Sequence, residues 1–352
     1  MKRLVAVLVA IGLVAGAIVL RRSLDGEASG GADVSGDGAT TVICGSELRR
    51  VCDELASRSP SVTFRIEDEA VTADRLSNPQ VTALDADGWL AAGPWAAIVA
   101  DNRAAAGAPP LDLGAPSAVL GRSPAVIVAA DDRAAALQGA CPSGVTWACI
   151  GGFAGRPWTE AGGQPSWGAV RPGLAPPETG AGLVVWSQAV SSQTAANGLP
   201  AIWARNDLDD PVVSTWFDQL AGQAKRSGSA SNDPLARFLV APATFGAVGA
   251  LESAAGPAVA RAAGRSDTRL LYPEPMVSAE VTLTPAAGGD AGDLLDALGG
   301  DGVGAALARD GWRVAGQPPA AGIGGGPPTG DSPGLPSAGA LEYLRQRWEA
   351  VP

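Results

Sequence analysis

The run Pro124-Ala125-Val126-Ile127-Val128-Ala129-Ala130 carries no polar side chain on either of its alternating faces. It reads as a strand buried on both sides, which points to a sheet covered by helices on both faces. The flanking segments agree. Thr41-Val42-Ile43-Cys44 reads as a strand, and Gly45-Ser46-Glu47 opens a helix to about Ser57, with Leu48, Val51, Cys52 and Leu55 on one face. Val62 to Ile66 alternates as a strand, Asp74 to Leu84 suggests a helix, Asp85 to Trp89 a turn, and Ala96 to Val99 a strand or short helix. Further on, Thr179-Gly180-Ala181-Gly182 leads an apolar helix from Leu183 to about Ser191, and Pro211 to Leu220 reads as another. Phe238 to Val240 and Arg269 to Tyr272 read as strands, Glu280 to Thr284 alternates, and Leu294 to Leu298 and Val303 to Ala308 are helical. Repeated strand–helix units predict an α/β fold with parallel strands. A chain of 352 residues, 46% of them apolar, has enough material for more than one lobe.

The beginning of the chain points to export. Lys2 and Arg3 precede an unbroken apolar run from Leu4 to Leu20, closed by Arg21 and Arg22. The run is slightly short of the ~20 residues that span a bilayer, yet longer than most signal-peptide cores. Residues 1–22 are therefore read as an uncleaved signal anchor, and residues 23–40, rich in Gly, Ser, Asp and Ala, as a flexible stalk. Ala15-Gly16-Ala17 leaves a cleaved signal open, and charges on both flanks make the positive-inside rule indecisive.

The cysteines supply the orientation. Cys44, Cys52, Cys141 and Cys149 form two sets of equal spacing. An even count behind an export signal reads as disulfides, which places the body outside the cytoplasm. Of the three connectivities, short-loop closure favours Cys44–Cys52 and Cys141–Cys149. A helix starting at Ser46 would put Cys52 about 9 Å further along, against the ~4.4–6.8 Å that separates bridged Cα atoms. Zinc fits poorly: the spacings differ from a paired C-x2-C pattern, and the chain has no histidine. The net charge of −11 argues against a nucleic-acid partner, which would need a basic face.

The order of several short motifs resembles type II periplasmic solute-binding proteins, the molybdate- and phosphate-binding branch of ABC-transporter receptors. More narrowly, it resembles membrane-anchored substrate-binding-domain proteins of actinobacteria. Cys44-Gly45-Ser46 is similar to that family's first strand and ligand-side turn, and Ala86-Asp87-Gly88-Trp89-Leu90 to a recurring stretch of the first lobe. Ser123-Pro124 resembles the entry to the second lobe, and Thr146-Trp147 a Trp position of that lobe. Val170 to Pro176 followed by Thr179 to Leu183 resembles its phosphate-like turn and helix, and Leu271-Tyr272-Pro273 the returning strand. Two departures stand out: Ala148-Cys149 follows Trp147 where relatives have Asp-Leu, and many relatives continue into a von Willebrand A domain, whereas this sequence stops at Pro352.

The resemblance implies a two-lobed type II periplasmic-binding-protein-like α/β fold behind an N-terminal transmembrane helix. It assigns 41–120 and 270–315 to the first lobe and 121–269 to the second. Residues 316–339 are Pro/Gly-rich and read as disordered, and 340–352 as a short helix with Leu341, Leu344 and Trp348 along one stripe. The implied protein sits at the cell membrane by a single pass, with its body on the extracytoplasmic side. It captures a small solute, with an ABC-transporter permease as a partner, and carries no cofactor.

Ligands of such a fold lie in the cleft, touched by strand–helix turns of both lobes. Here those turns would present Ser46, Ser123 and Thr179, with Asp87, Trp89 and Tyr272 beside them. Hydroxyls backed by helix N-termini suit an oxyanion or a neutral polar solute. The plain alternative is that Ser46 and Thr179 are N-caps, each worth about 1 kcal/mol. Glu47 and Glu178 adjoin two of the hydroxyls and no arginine does, which ranks a neutral or weakly anionic solute above molybdate or phosphate. Trp147, Trp158 and Trp167 read as core filling before they read as an aromatic cleft. Glu67-Asp68-Glu69, Asp131-Asp132 and Asp209-Asp210 read as solvated surface before metal ligands.

Catalysis meets specific obstacles. Without histidine there is no Ser-His or Cys-His pair, and a Ser-Lys dyad would have to use Lys225 in a polar stretch. The expectation is a binding protein and not an enzyme. Two rivals stay open: a non-catalytic scaffold that retains the fold, and a carboxylate-dependent hydrolase.

Overall fold

The computed structural model describes residues 40–228, 233–262, 267–323 and 334–352. The expected anchor (1–22) and the expected stalk (23–40, apart from Thr40) lie outside these residues, as does the centre of the Pro/Gly-rich segment, 324–333. Among the described residues no helix is long and apolar enough to cross a membrane.

The order of elements is β1 (Thr40–Gly45), α1 (Arg49–Arg58), β2 (Val62–Glu67), α2 (Glu69–Ser77), β3 (Gly88–Ala92), α3 (Trp95–Ala105), β4 (Gly121–Ala130), α4 (Asp131–Ala140), α5 (Trp147–Phe153), β5 (Pro172–Gly173) and α6 (Gly180–Ala196). It continues with α7 (Arg205–Leu208), α8 (Pro211–Arg226), α9 (Pro234–Val240), β6 (Ala247–Leu251), α10 (Glu252–Ala262), β7 (Thr268–Leu271), β8 (Ser278–Pro285), α11 (Ala291–Ala297), α12 (Asp301–Arg309) and α13 (Ala338–Ala350). A single 3-10 turn, Ser46–Leu48, joins β1 to α1.

The strands run in the order β2-β1-β3-β8-β4-β6-β5, with β7 also on β4. β4 belongs to two halves of this array. Its start, Gly121 to Pro124, pairs with β8, whereas Ala125 to Ala130 pairs with β6 and β7. The first half, β2-β1-β3-β8, forms one lobe and the second half, β7-β4-β6-β5, the other. The sheet is crossed from one lobe to the other along β4 and through the segment from Leu271 to Ser278. The boundaries expected at 121 and 270 fall at the start of β4 and within β7.

The long apolar run behaves as its sequence requires. Ala125 and Ile127 join one apolar core while Val126 and Val128 join another on the opposite face, and all four have no exposed surface. Period-2 alternation makes both faces of β4 apolar, so each needs its own helical cover. Leu235 and Phe238 of α9 supply it on one side. Phe238 to Val240 is therefore helix and not the expected strand. Pro234 occupies the first turn of α9, and the Asp233 carboxylate accepts from Leu235 N and Ala236 N at 2.9 and 3.2 Å.

Two disulfides are formed. Cys44–Cys52 joins β1 to α1 with Cα atoms 6.6 Å apart, and Cys141–Cys149 joins the end of α4 to α5 with Cα atoms 6.0 Å apart. The 3-10 turn at Ser46–Leu48 folds α1 back beside β1, which brings Cys52 within bridging distance.

α13 touches both lobes. Toward the first, Arg345 donates to both carboxylate oxygens of Asp74 in α2 at 2.9 and 3.0 Å, and Gly339 N donates to Asp101 of α3 at 3.0 Å. Toward the second, the Trp348 ring lies 4.8 Å from that of Trp186 in α6, and Arg347 donates to Asp218 of α8 at 2.9 Å. Lys225 of α8 donates to the Trp348 carbonyl at 2.7 Å. Leu341, Leu344 and Trp348 are buried along one stripe of the helix.

Candidate ligand-binding cleft

The parallel strands of both lobes aim their C-terminal ends at the crossover. Ala92, the end of β3, and Gly121, the start of β4, both pair with Val281. In the other lobe Leu251, the end of β6, pairs with Ala125 just past the crossing. Turns that follow such strand ends are where α/β sheets place ligands. In the first lobe the turn after β1 is Ser46-Glu47. In the second, the segment after β5 leads to Thr179 and the start of α6.

These two turns meet. The Glu47 carboxylate reaches across and accepts from Ala181 N in the first turn of α6 at 3.0 Å. Thr179 caps the same helix: its Oγ1 accepts from Gly182 N at 2.9 Å and donates to the Pro176 carbonyl at 3.0 Å. Ser46 Oγ donates to Glu69 Oε2 at 3.3 Å. Glu69 opens α2 and has no exposed surface, and its Oε1 has no hydrogen-bond partner. The two lobes approach closely here. A methyl group at Gly180 would lie 3.1 Å from Glu47 Cγ and 3.4 Å from Glu69 Cδ, and one at Gly45 only 2.2 Å from Glu69 Oε1.

The electrostatics follow from this crowding. Burial pushes the Glu69 carboxyl up to about 8, and the charge of Glu47 adds to the rise, while backbone N–H groups and Ser46 oppose it. Burial also raises Glu47; the Ala181 N–H pulls it the other way, and Asp233 and Asp68 push it further up. Among the described residues no basic side chain is set against these two neighbouring carboxyl groups at the seam, so the second charge is strongly disfavoured.

Beside the seam lies a cavity of about 420 Å³, lined by Glu47 from the first lobe and by Thr179, Asp233, Leu235, Leu251 and Ala254 from the second, among others. A second hollow of about 340 Å³ lies between α8 and α13, where Asp218 and Arg347 already pair with each other.

Of the six residues singled out from sequence, Ser46 and Thr179 come together at the seam. Ser123 and Tyr272 belong to a different cluster, at the crossover. Ser123 Oγ accepts from Ser253 N at 2.9 Å, and the Tyr272 hydroxyl donates to the Glu252 carboxylate. Burial and Glu252 together push that phenol up to about 12. Asp87 sits at the opposite end of the first-lobe strands from Ser46, where its carboxylate accepts from Thr41 N at 2.7 Å. Trp89 is 1% exposed, inside the first lobe's core. Trp147 and Trp158 are likewise core, and Trp158 meets Trp167 edge-on at 5.3 Å.

The sequence reading missed Glu69, Asp233 and the β6 end. Glu69 was grouped with Glu67 and Asp68 as solvated surface, which holds for the exposed Asp68 only; Glu67 is part-buried and pairs with Arg65 and Arg75. The available signal was position: Glu69 begins the helix that follows a parallel strand, and so stands at the cleft edge of its lobe. Glu47, read from sequence as a charge that disfavours a multiply charged anion, lines the cavity.

No family model matches the sequence, and no curated protein matches it. Among solved structures, iron-bound HitA from Pseudomonas aeruginosa is similar over 88% of this chain and 97% of its own, with 10% identity and a TM-score of 0.53. The substrate binding protein of an ABC transporter from Agrobacterium tumefaciens is similar over 92% of this chain and 96% of its own, with 14% identity and a TM-score of 0.50. At such identities the likeness shows the fold: the two-lobed α/β architecture of periplasmic solute-binding proteins.

Proposed function

We propose that the chain is a solute receptor that holds a small molecule between its lobes, beside the Ser46-Glu47 turn and the start of α6. The carrying observation is the cavity of about 420 Å³ at the C-terminal strand ends, lined from both lobes. Its size is that of a small-molecule site, and its walls combine apolar side chains with a few polar groups. An extracytoplasmic body held at the membrane is part of the proposal; the apolar run Leu4 to Leu20 and the two disulfides support it. So is delivery to an ABC-transporter permease, in keeping with the similar Agrobacterium tumefaciens protein, which is the substrate binding protein of an ABC transporter.

Binding is favoured over hydrolysis by the placement of the acids. Glu69, the group that holds a proton near neutrality, has no exposed surface from which to reach a substrate. Calorimetry and thermal melting with panels of amines, oxyanions, sugars and amino acids test the proposal. At least one class should raise the melting temperature of the native chain, and Ala254→Trp, which fills the cavity, should abolish that rise. A rise that survives Ala254→Trp would move the site elsewhere.

A further inference from the structure

We infer that the solute is an organic cation: an ammonium head held between Glu47 and Asp233, with a short apolar body laid on Leu235, Leu251 and Ala254. This rests on the proposed solute capture and adds the chemistry of what is captured.

The first argument is charge. Among the described residues, the cavity is lined by two carboxylates, Glu47 and Asp233, and by no lysine or arginine. Asp68 and Glu69 stand close enough behind Glu47 to act on it or be acted on by it. A cation beside Glu47 and Asp233 is attracted, and an oxyanion there is repelled.

The second argument is the state of the helix terminus. The start of α6 is where an anion would be held, by free N–H groups and the helix dipole. Those donors are already engaged: Ala181 N by Glu47 at 3.0 Å and Gly182 N by Thr179 at 2.9 Å. An oxyanion would have to expel the Glu47 carboxylate from Ala181 N before it could use that donor.

The third argument is the buried acid. Glu69 turns an unpartnered oxygen into the seam between Gly45 and Gly180, with no exposed surface of its own. Near neutrality Glu69 keeps its proton because the carboxyl pair tolerates one charge and not two, and a positive charge beside Glu47 is what would let both ionise. A cationic head beside Glu47 supplies that charge to the whole carboxyl pair.

The fourth argument separates an organic cation from a metal ion. Among the described residues no three acidic or cysteine side chains converge as a metal site. Apart from Thr179, whose hydroxyl is engaged by Pro176 O and Gly182 N, the remaining side chains of the cavity wall are apolar, which suits methylene groups better than a bare ion that needs about six oxygen ligands.

The test uses the full chain and isothermal titration at pH 7 with putrescine, choline and n-hexylammonium against molybdate, phosphate and mannitol. Two variants remove charge while keeping hydrogen bonds. Glu47→Gln can still accept from Ala181 N, and Asp233→Asn can still cap α9. The ammonium probes should bind, weaken with salt, and lose about tenfold in affinity or more in each variant. Binding of an oxyanion or of mannitol that Ala254→Trp blocks, with the ammonium probes silent, would overturn the cation and leave solute capture standing. Ammonium binding that neither Glu47→Gln nor Asp233→Asn changes would overturn the placement of the head. If no probe shows binding that depends on the cavity, solute capture falls with it.

Discussion

Arg313 sets Nε and Nη2 at 2.6 and 2.7 Å from the two carboxylate oxygens of Glu252, a side chain with no exposed surface. Arg313 N also donates to the Arg122 carbonyl at the start of β4, at 2.8 Å, and Glu252 is the first residue of α10. The pair therefore ties the region where β4 leaves the first lobe to a helix of the second. Tyr272, on the returning segment, donates to the same carboxylate. Buried charges are tolerated only when paired and hydrogen-bonded, and both conditions are met here.

Removing one partner of that pair should be costly. Glu252→Ala removes the buried carboxylate that holds both Arg313 and Tyr272, and the expected loss is about 3–5 kcal/mol in urea unfolding. Glu252→Gln should cost less, because its amide oxygen can still accept from Tyr272 and Arg313 Nη2, and only the bond from Arg313 Nε is lost. A loss under about 1 kcal/mol for Glu252→Ala, the range of an exposed pair, would show that the crossover does not depend on this contact.

Stability should fall as pH rises, because of Glu69. Its carboxyl titrates near 4.5 when exposed and near 8 in the fold, so between those values the unfolded chain has released a proton that the folded chain retains. The contribution is fully present below about pH 4.5 and is lost as pH rises through about 8. One such proton gives a slope of at most about 1.4 kcal/mol per pH unit. Unfolding free energies measured at intervals from pH 5 to pH 9 should decline for the native chain and decline less for Glu69→Gln. Identical slopes in the two proteins would assign the proton elsewhere.

Each disulfide closes a short loop, with a sequence separation of 8 residues. Chain-entropy reasoning gives about 2–3 kcal/mol for a loop of that length. Replacing Cys141 and Cys149 together by alanine should lower stability by about that amount, and the same holds for Cys44 and Cys52. Non-reducing peptide maps should recover only these two links; a Cys44–Cys141 peptide would contradict the structure.

Trp348 is 3% exposed and stacks obliquely on Trp186. Trp348→Ala should cost about 3–5 kcal/mol if α13 folds as part of the same cooperative unit. A calorimetric scan in which the variant shows an unchanged main transition would instead make α13 an appendage.

The α/β class was legible because period and burial agree in segments such as Val42 to Cys44 and Ala125 to Val128. The cysteine spacing was equally informative. What could not be read was β6. Ala247-Val248-Gly249-Ala250-Leu251 is short and small-residued, because Val185 and Trp147 press on Gly249, where an added methyl would lie 2.4 and 2.9 Å from them. A strand made of small residues under a large-residue cover has little β signal of its own. β3 was misplaced for a related reason: Asp85 to Gly88 carries turn chemistry up to its first residue. At the site, hydroxyls drew attention because they precede helices, and two of the three do lie at the seam or cap its helix. The acid that crosses the seam is not marked by its neighbours in sequence, since its partner Ala181 is 134 positions away.

α13 changes the mechanics of the pair of lobes. Two bodies joined only by neighbouring strands can swing about that joint as freely as their facing surfaces allow. A rigid strut seated on α2 and α3 of one body and on α6 and α8 of the other closes the linkage into a loop. Swinging the bodies apart then requires the strut to slide or detach at one end, breaking either the Asp74 and Asp101 contacts or the Trp186 and Asp218 contacts. The rate at which a captured molecule escapes would then be set by the undocking of a helix that is absent from the cavity's lining.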